Sequence, residues 1–410
     1  MGKHNWAFKR HFRGEAYGWK GTATASKRMR EAVSEIKKIA RKDSSLAGEG
    51  VVELFVRLYP ALMNIDGSSG ALGTAMNRTI DALRPILIQA DWNMNTRGRW
   101  LDKLYAAIQE DGWGTFDELR DYWGELCVYP DLAHLWADRL IPTVKEVFTS
   151  VEYSFSVDTD LCLSCLLYTD RFDELQDLLQ LRDKPFWPYN KFWAMALVKQ
   201  DKREEALAYA EHIQSQSTTN NSEIEIDEFC ESVLIQIGRI DEAYEKYGLN
   251  LPPNGTYLNI YRGICKKYSS LDKRKILLDC IEKSGDQGKW FASAKTAGFL
   301  DIALQCAQSR QAQPSTLTRA VDEYADTNPE FSVKVGICAI LTLLTESFYD
   351  PIQPVHVKMY YMHARSVARN HGLETMFHSE LDVQFQECFD LCDMELRNVL
   401  SELIQMEITA

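Results

Sequence analysis

The sequence predicts an all-α protein, an α-solenoid of antiparallel helix pairs that follows an irregular helical N-terminal region. Three observations carry this expectation. Apolar residues recur at helical spacing along nearly the whole chain, while the alternation of a half-buried strand is almost absent. Glycine and proline, 22 and 12 of 410 residues, are too few for a loop-rich all-β protein. From about Asp158 a short turn motif returns at intervals close to the length of a helix pair.

Taken in order, Met29, Val33, Ile36 and Ala40 fit one helix face, and Val51, Leu54, Phe55, Leu58 and Leu62 a second. Leu72, Ala75, Ile80, Leu83 and Ile86 form a third, with slight drift. Trp100, Leu101, Leu104 and Ile108 follow. Phe116, Leu119, Trp123 and Leu126 make one more stripe, and Leu132, Leu135, Trp136, Leu140, Val144 and Phe148 another. Asp111-Gly-Trp-Gly114 reads as a turn between helices. The best strand candidate, residues 151–157, is short and has no partner run.

The repeat begins after it. Arg171-Phe-Asp-Glu-Leu175, Lys202-Arg-Glu-Glu-Ala206 and Arg239-Ile-Asp-Glu-Ala243 are clear copies; residues 271–276 and 298–303 are weaker ones. The markers Leu175, Ala206, Ala243, Ile276 and Ala303 lie 31, 37, 33 and 27 residues apart, against about 34 for a tetratricopeptide unit of two helices and two turns. Antiparallel helices approach closely only where one side chain is short, so Ala206 and Ala243 mark crossings. The turn acids open the second helix and complement its dipole. Asn328-Pro329-Glu330 reads as N-cap, first-turn proline and early acid. Residues 214–222 read as a polar loop. A helix is expected from about Pro354 to Asn370, with an interruption at Gly372. A final acidic amphipathic helix carrying Phe385, Phe389, Leu396, Leu400 and Leu403 then caps the array. Four regions result: a basic aromatic arm with the first helix (1–44), an N-terminal helical region (45–150), degenerate TPR-like repeats (151–350) and capping helices (351–410).

The net charge of −13 is unevenly spread. Residues 1–42 hold twelve Lys and Arg against three acids, a surplus of nine positive charges that leaves the other 368 residues at −22. That excludes a uniformly basic nucleic-acid binder and leaves a basic arm on an acidic body. Ten scattered cysteines, with no apolar leader over residues 1–20, read as reduced thiols in a cytoplasmic protein. The longest apolar run, residues 335–344, is too short to cross a bilayer, so no membrane association is expected.

Asn64-Ile-Asp-Gly-Ser-Ser-Gly70, Asp111-Gly-Trp-Gly114, Trp136-Ala-Asp-Arg139 and Gly288-Lys-Trp-Phe-Ala-Ser-Ala-Lys295 together resemble an uncharacterised bacterial family of helical-repeat proteins. The pattern is similar to the helical part of bacterial SWIM-type zinc-finger proteins and covers about residues 45–350. The resemblance implies a TPR-like array and no known activity. The Cys-x-Cys followed by Cys-x-His of a SWIM finger is absent, so no zinc ligand and no DNA contact through a finger carry over.

Few constellations suit chemistry. Cys162-Leu-Ser-Cys165 has the spacing of a zinc or thiol-exchange pair, but no second CxxC or HxxxH completes a zinc set. Its place in mid-stripe makes two buried helix cysteines the plainer reading. Cys388 and Cys392 are expected on one helix face, with His378 ten residues upstream, either as small apolar fillers or as part of a metal set. His356 and His363 would stand about 10 Å apart on one helix, too far for one metal, and His371 and His378 lie beyond the break. Asp158 and Asp160 read as N-caps, or as paired carboxylates for acid–base work. The Gly/Ser-rich stretch 65–73 lacks the Gly-Lys-Ser/Thr of a nucleotide loop. Asp66, Ser68 and Ser69 there are candidates for helix capping, or for an anion or partner contact. No catalytic residue, metal or cofactor is assigned.

The arm is the most suggestive feature. Trp6, Phe8, Phe12, Tyr17 and Trp19 interleave with Lys3, Lys9, Arg10, Arg13 and Lys20. Cations with stacking rings suit phosphates and bases, which makes Lys3, Trp6, Lys9, Arg10, Arg13 and Lys20 the candidate nucleic-acid contacts. Alternatively the rings pack on helices and the cations meet an acidic surface. The functional expectation is a non-enzymatic scaffold or adaptor that binds a protein partner along a helical-repeat surface in a bacterial complex. The alternative is a nucleic-acid-associated accessory factor, in host defence, that contacts DNA or RNA through the arm.

Overall fold

The computed structural model describes residues 4–150, 156–216, 220–250, 255–345 and 352–408. Among the described residues every regular element is helical and none is a strand, so the protein is all-α. Residues 151–155 of the strand candidate lie outside the described residues. The chain divides into two compact units, Met1–Val233 and Leu234–Ala410. The division falls inside the helix Asn220–Gln236.

In the first unit, Thr22–Ala40 packs on Ser44–Leu62 and on Ala71–Ile88, and Ser44–Leu62 also meets Met94–Gln109. Met29, Ile36, Leu54, Phe55, Leu58, Leu83, Leu101 and Leu104 are buried between them, as their spacing predicts. The stripe Phe116 to Leu126 is not one helix. It is split into Asp117–Arg120 and Trp123–Cys127. Gly124 is the reason the second piece can sit where it does, since a Cβ there would come within 2.4 Å of the Ser164 carbonyl oxygen. Pro130–Thr149 then pairs with Asp158–Tyr168, and Trp187–Lys199 with Arg203–Gln216. One buried charge was not legible beforehand. Arg97 donates to the carbonyls of Leu87, Ile88, Ala90 and Leu126 at 2.7–3.2 Å, which supplies partners for the last carbonyls of Ala71–Ile88.

In the second unit, Pro314–Tyr324 packs on Pro329–Thr345, which in turn packs on Pro354–Asn370 and Glu374–Cys388. Pro329–Thr345 contains the longest apolar run and is buried on all sides, the placement expected of a helix that is apolar all round. A Cβ at Gly336 would stand 2.7 Å from the Ala364 Cβ, so glycine permits this crossing. Among the described residues no helix is long and apolar enough to cross a membrane. Asn328 caps its helix through the Phe331 amide (3.2 Å), and the helix Pro354–Asn370 ends where Gly372 takes φ 71°. The expected terminal helix is instead two, Glu374–Cys388 and Met394–Ile408, joined by a 3-10 turn at Phe389–Leu391.

The sequence repeat has a backbone counterpart. Asp170, Asp201, Gly238 and Gly298 are all left-handed, with φ of 57°, 64°, 81° and 87°. The next residue in each case donates its amide to the carbonyl five positions back: Arg171 to Leu166, Lys202 to Leu197, Arg239 to Leu234 and Phe299 to Ala294. That is a left-handed helix cap of the Schellman kind. Its own carbonyl then accepts from the marker residue, Leu175, Ala206, Ala243 or Ala303, and so begins the next helix. All four markers are fully buried. The copy at 271–276 departs from this: Asp272 caps Lys273–Ser284 by accepting from the Arg274 amide at 3.0 Å. A further copy of the backbone cap occurs at Gly372-Leu373, where the turn has no basic residue to reveal it.

Gly238 has open space around its Cα, so Gly238→Ala should cost about 1 kcal/mol from backbone strain alone. Ala206→Leu should cost roughly 1–3 kcal/mol by overpacking. Chemical denaturation reads both; unchanged midpoints would refute the assigned caps and crossings.

Candidate functional site

The basic arm divides its residues by chemistry. Trp6, Phe8 and Phe12 are 3%, 2% and 1% exposed, and Tyr17 is buried with them. Trp6 lies on Gly50 of the helix Ser44–Leu62, where a Cβ would come within 2.4 Å of its ring. Its centroid is 5.4 Å from that of Phe8. Glu35, on Thr22–Ala40, accepts from the amides of Ala7 (2.8 Å) and Phe8 (3.2 Å), which holds the 3-10 turn Ala7–Arg10 against that helix. Of the five interleaved rings, only Trp19 is exposed, at 68%. Trp6, a candidate nucleic-acid contact, is thus largely a core side chain, although it also lines the cavity described next.

The cations turn the other way. Lys9, Arg10 and Arg13 line a cavity of about 760 Å³, together with Arg57 from Ser44–Leu62 and Asn5, Trp6, Ala7, Phe12 and Gly14. Arg10 and Arg13 are exposed. Arg10 donates from Nε to His11 Nε2 at 3.0 Å. His11 is held below its ordinary value by burial and by the charges of Arg28 and Arg10. Glu53 is the carboxylate that meets this cluster. It pairs with Lys9 at 2.9 Å, with Arg57 at 3.1 Å and with Lys103. Burial alone would raise its carboxyl, but hydrogen bonds from Lys103 and Lys9 override burial and hold it at about 2. Lys20 is exposed outside the cavity, as are Lys27, Arg30, Lys37 and Lys38 of Thr22–Ala40. Lys3 lies outside the described residues. Sequence reasoning missed Glu53 and Arg57; their signal was an i, i+4 charge pair on an otherwise apolar helix.

None of the remaining candidates lines this cavity. Asp66 accepts from the Ser68 amide at 2.9 Å, and Ser69 Oγ from the Ala71 amide at 3.4 Å, within the turn that precedes Ala71–Ile88. Cys162 and Cys165 are fully buried in Asp158–Tyr168, and burial pushes the Cys162 thiol up to about 12. His356 accepts from the Gln353 amide in a capping box, and His363 meets Asp322 at 2.7 Å. Among the described residues no group of three His, Cys, Asp or Glu side chains could hold a metal ion.

Asp158 and Asp160 are not N-caps. Their helix starts without a side-chain cap. Asp158 accepts from the Tyr105 hydroxyl (2.9 Å) and Gln109 (2.6 Å), while Asp160 is buried 3.3 Å from Arg120. Burial raises the Asp160 carboxyl to about 7 against the pull of Arg120. The turn and packing motifs are equally structural. Asp111 accepts from the amides of Trp113 and Phe116, and Gly114 takes φ 68°. A Cβ on Gly288 would strike the Gln311 backbone at 2.1 Å. Neither a family model nor a curated protein sequence matches the chain.

Trp6→Ala should destabilise the first unit by about 3–5 kcal/mol. Arg13→Ala, whose side chain is exposed, should stay within about 0.5 kcal/mol. Equal effects in thermal melts would refute the division of the arm. Asp160 binds its proton more tightly folded than unfolded, so its own contribution to stability is fully present below about pH 4 and is lost as pH rises toward 7. Relative to Asp160→Asn the wild type should lose up to about 4 kcal/mol across that window; parallel pH profiles would overturn the assignment.

Proposed function

We propose that the protein is a non-enzymatic binding protein whose basic N-terminal face engages the phosphate backbone of nucleic acid. One observation carries this reading: Lys9, Arg10, Arg13 and Arg57 converge on a single cavity, whose ring-bearing residues Trp6 and Phe12 are only 3% and 1% exposed. Cations held on a rigid base give up little entropy when they meet phosphates. With most rings buried, little stacking remains to read bases, so binding should be tolerant of sequence and strongly dependent on salt. The exposed cations of Thr22–Ala40 extend the same charge beyond the cavity.

A second reading, a scaffold for a protein partner, has support of its own. Val355, Met359 and Met362 are 54–60% exposed at i, i+4, i+7 on Pro354–Asn370. Such an adaptable apolar stripe suits a partner helix. Helix pairs joined by recurring left-handed caps are in keeping with TPR-like repeats. Ten free cysteines are in keeping with a reducing, cytoplasmic location.

Fluorescence anisotropy with a labelled single-stranded oligonucleotide, measured from low to high salt, tests the first reading. The Arg10→Glu/Arg13→Glu protein should bind at least about tenfold more weakly, with a salt slope shallower by roughly 1–2. Salt-independent binding, or an unchanged affinity in the double variant, would reject it. Capture of a nuclease-resistant protein partner, lost in Met359→Glu/Met362→Glu, would favour the second.

A further inference from the structure

Cys388 is the last residue of Glu374–Cys388, and Cys392 follows the 3-10 turn Phe389–Leu391 in an extended conformation. Across this break the two Sγ atoms lie 3.8 Å apart. Both sides of the break are pinned. The Asp393 amide donates to the Leu344 carbonyl at 2.8 Å, and Asp393 caps the next helix through the amides of Glu395 and Leu396. Arg397 donates to the Phe389 carbonyl at 3.3 Å with its guanidinium 4.3 Å from that ring.

The pair also differs chemically from the other thiols. Cys127, Cys162, Cys165 and Cys280 are fully buried, and burial raises the thiols of Cys162, Cys165 and Cys280 and also that of the more exposed Cys265. Cys388 and Cys392 are 7% and 8% exposed, beside Leu391 and Met394, which stand out in solvent at 74% and 70%. A hydrogen bond from Cys392 lowers the Cys388 thiol below its ordinary range, and the charge of Arg310 adds to this. The Cys392 thiol is correspondingly raised. One sulfur is thus prepared to attack and the other to keep its proton.

We propose that Cys388 and Cys392 form a redox-active dithiol that a peroxide closes to an intrachain disulfide. The Cys388 thiolate attacks one peroxide oxygen, the O–O bond breaks, and hydroxide leaves to be protonated to water. The Cys388 sulfenic acid is then attacked by the Cys392 sulfur. An S–S bond forms, and the sulfenic hydroxyl departs with the Cys392 proton as a second water. Two thiols lose two electrons and two protons, and one peroxide becomes two waters. Closure ties Met394–Ile408 covalently to the helix before it.

Trypsin provides a direct readout, because cleavage after Arg369 and Arg397 releases residues 370–397, which contain these two cysteines and no others. The full chain is treated with hydrogen peroxide, then denatured in N-ethylmaleimide, digested and weighed. The expected peptide is unalkylated and lighter by two hydrogen atoms, and dithiothreitol restores two alkylations. Cys392→Ser should leave a dimedone-reactive sulfenic acid on Cys388, whereas Cys388→Ser should leave Cys392 alkylatable. Circular dichroism matching the wild type confirms that each variant is folded, with Cys392→Ala replacing Cys392→Ser if it is not. Doubly alkylated peptide after peroxide treatment, or a folded Cys392 variant without a dimedone adduct, overturns the proposal.

Discussion

The missing Cβ at Gly50 lets the indole of Trp6 press against the helix Ser44–Leu62, and the chemistry of the N-terminal face follows from that contact. Once Trp6 is seated, Phe8 and Phe12 are drawn into the same core, and the alternation of ring and cation along the arm sends Lys9, Arg10 and Arg13 outward. An extended arm with the same composition would hold its rings and cations in one flexible surface. The packed arm separates them into an apolar anchor and a cationic rim. Glu35 completes the anchoring by accepting the amides that begin the 3-10 turn, so the backbone near the cavity is held as well as the side chains.

Buried polar groups organise the first unit in the same way. Arg97 gathers four main-chain carbonyls from two segments, so one side chain ends a helix and fixes what packs beneath it. Glu53 gathers three cations, which orders Lys9 and Arg57 at the cavity wall at the cost of part of their charge. Asp160 shows the opposite balance. Its desolvation outweighs the nearby Arg120, so its proton stays on into the neutral range.

The second unit is organised around a helix that is apolar on every face, with glycine at its tightest crossing. Its last two helices meet at a break instead of continuing as one. A helix forms where amides find carbonyls four residues back, and Asp393 instead donates to Leu344, on a different helix. That long-range bond fixes the segment after Cys392, and the two thiols stand 3.8 Å apart across the break.

Local patterning determined much of this protein. The helical class, the start at Asn328-Pro329, the helix Pro354–Asn370 and three clear copies of the repeat turn were all legible, because each depends on spacing or capping within a few residues. The cationic residues of the arm were legible as a group for the same reason. Contacts between distant segments were decided only in the tertiary structure: the inward turn of Trp6, the part played by Glu53 and Arg57, the carbonyls held by Arg97, and the splitting of the stripes at 116–126 and 385–403. Periodicity states which face of a helix is apolar. It cannot state which glycine another segment will use, or which carbonyl will take an amide away from its own helix.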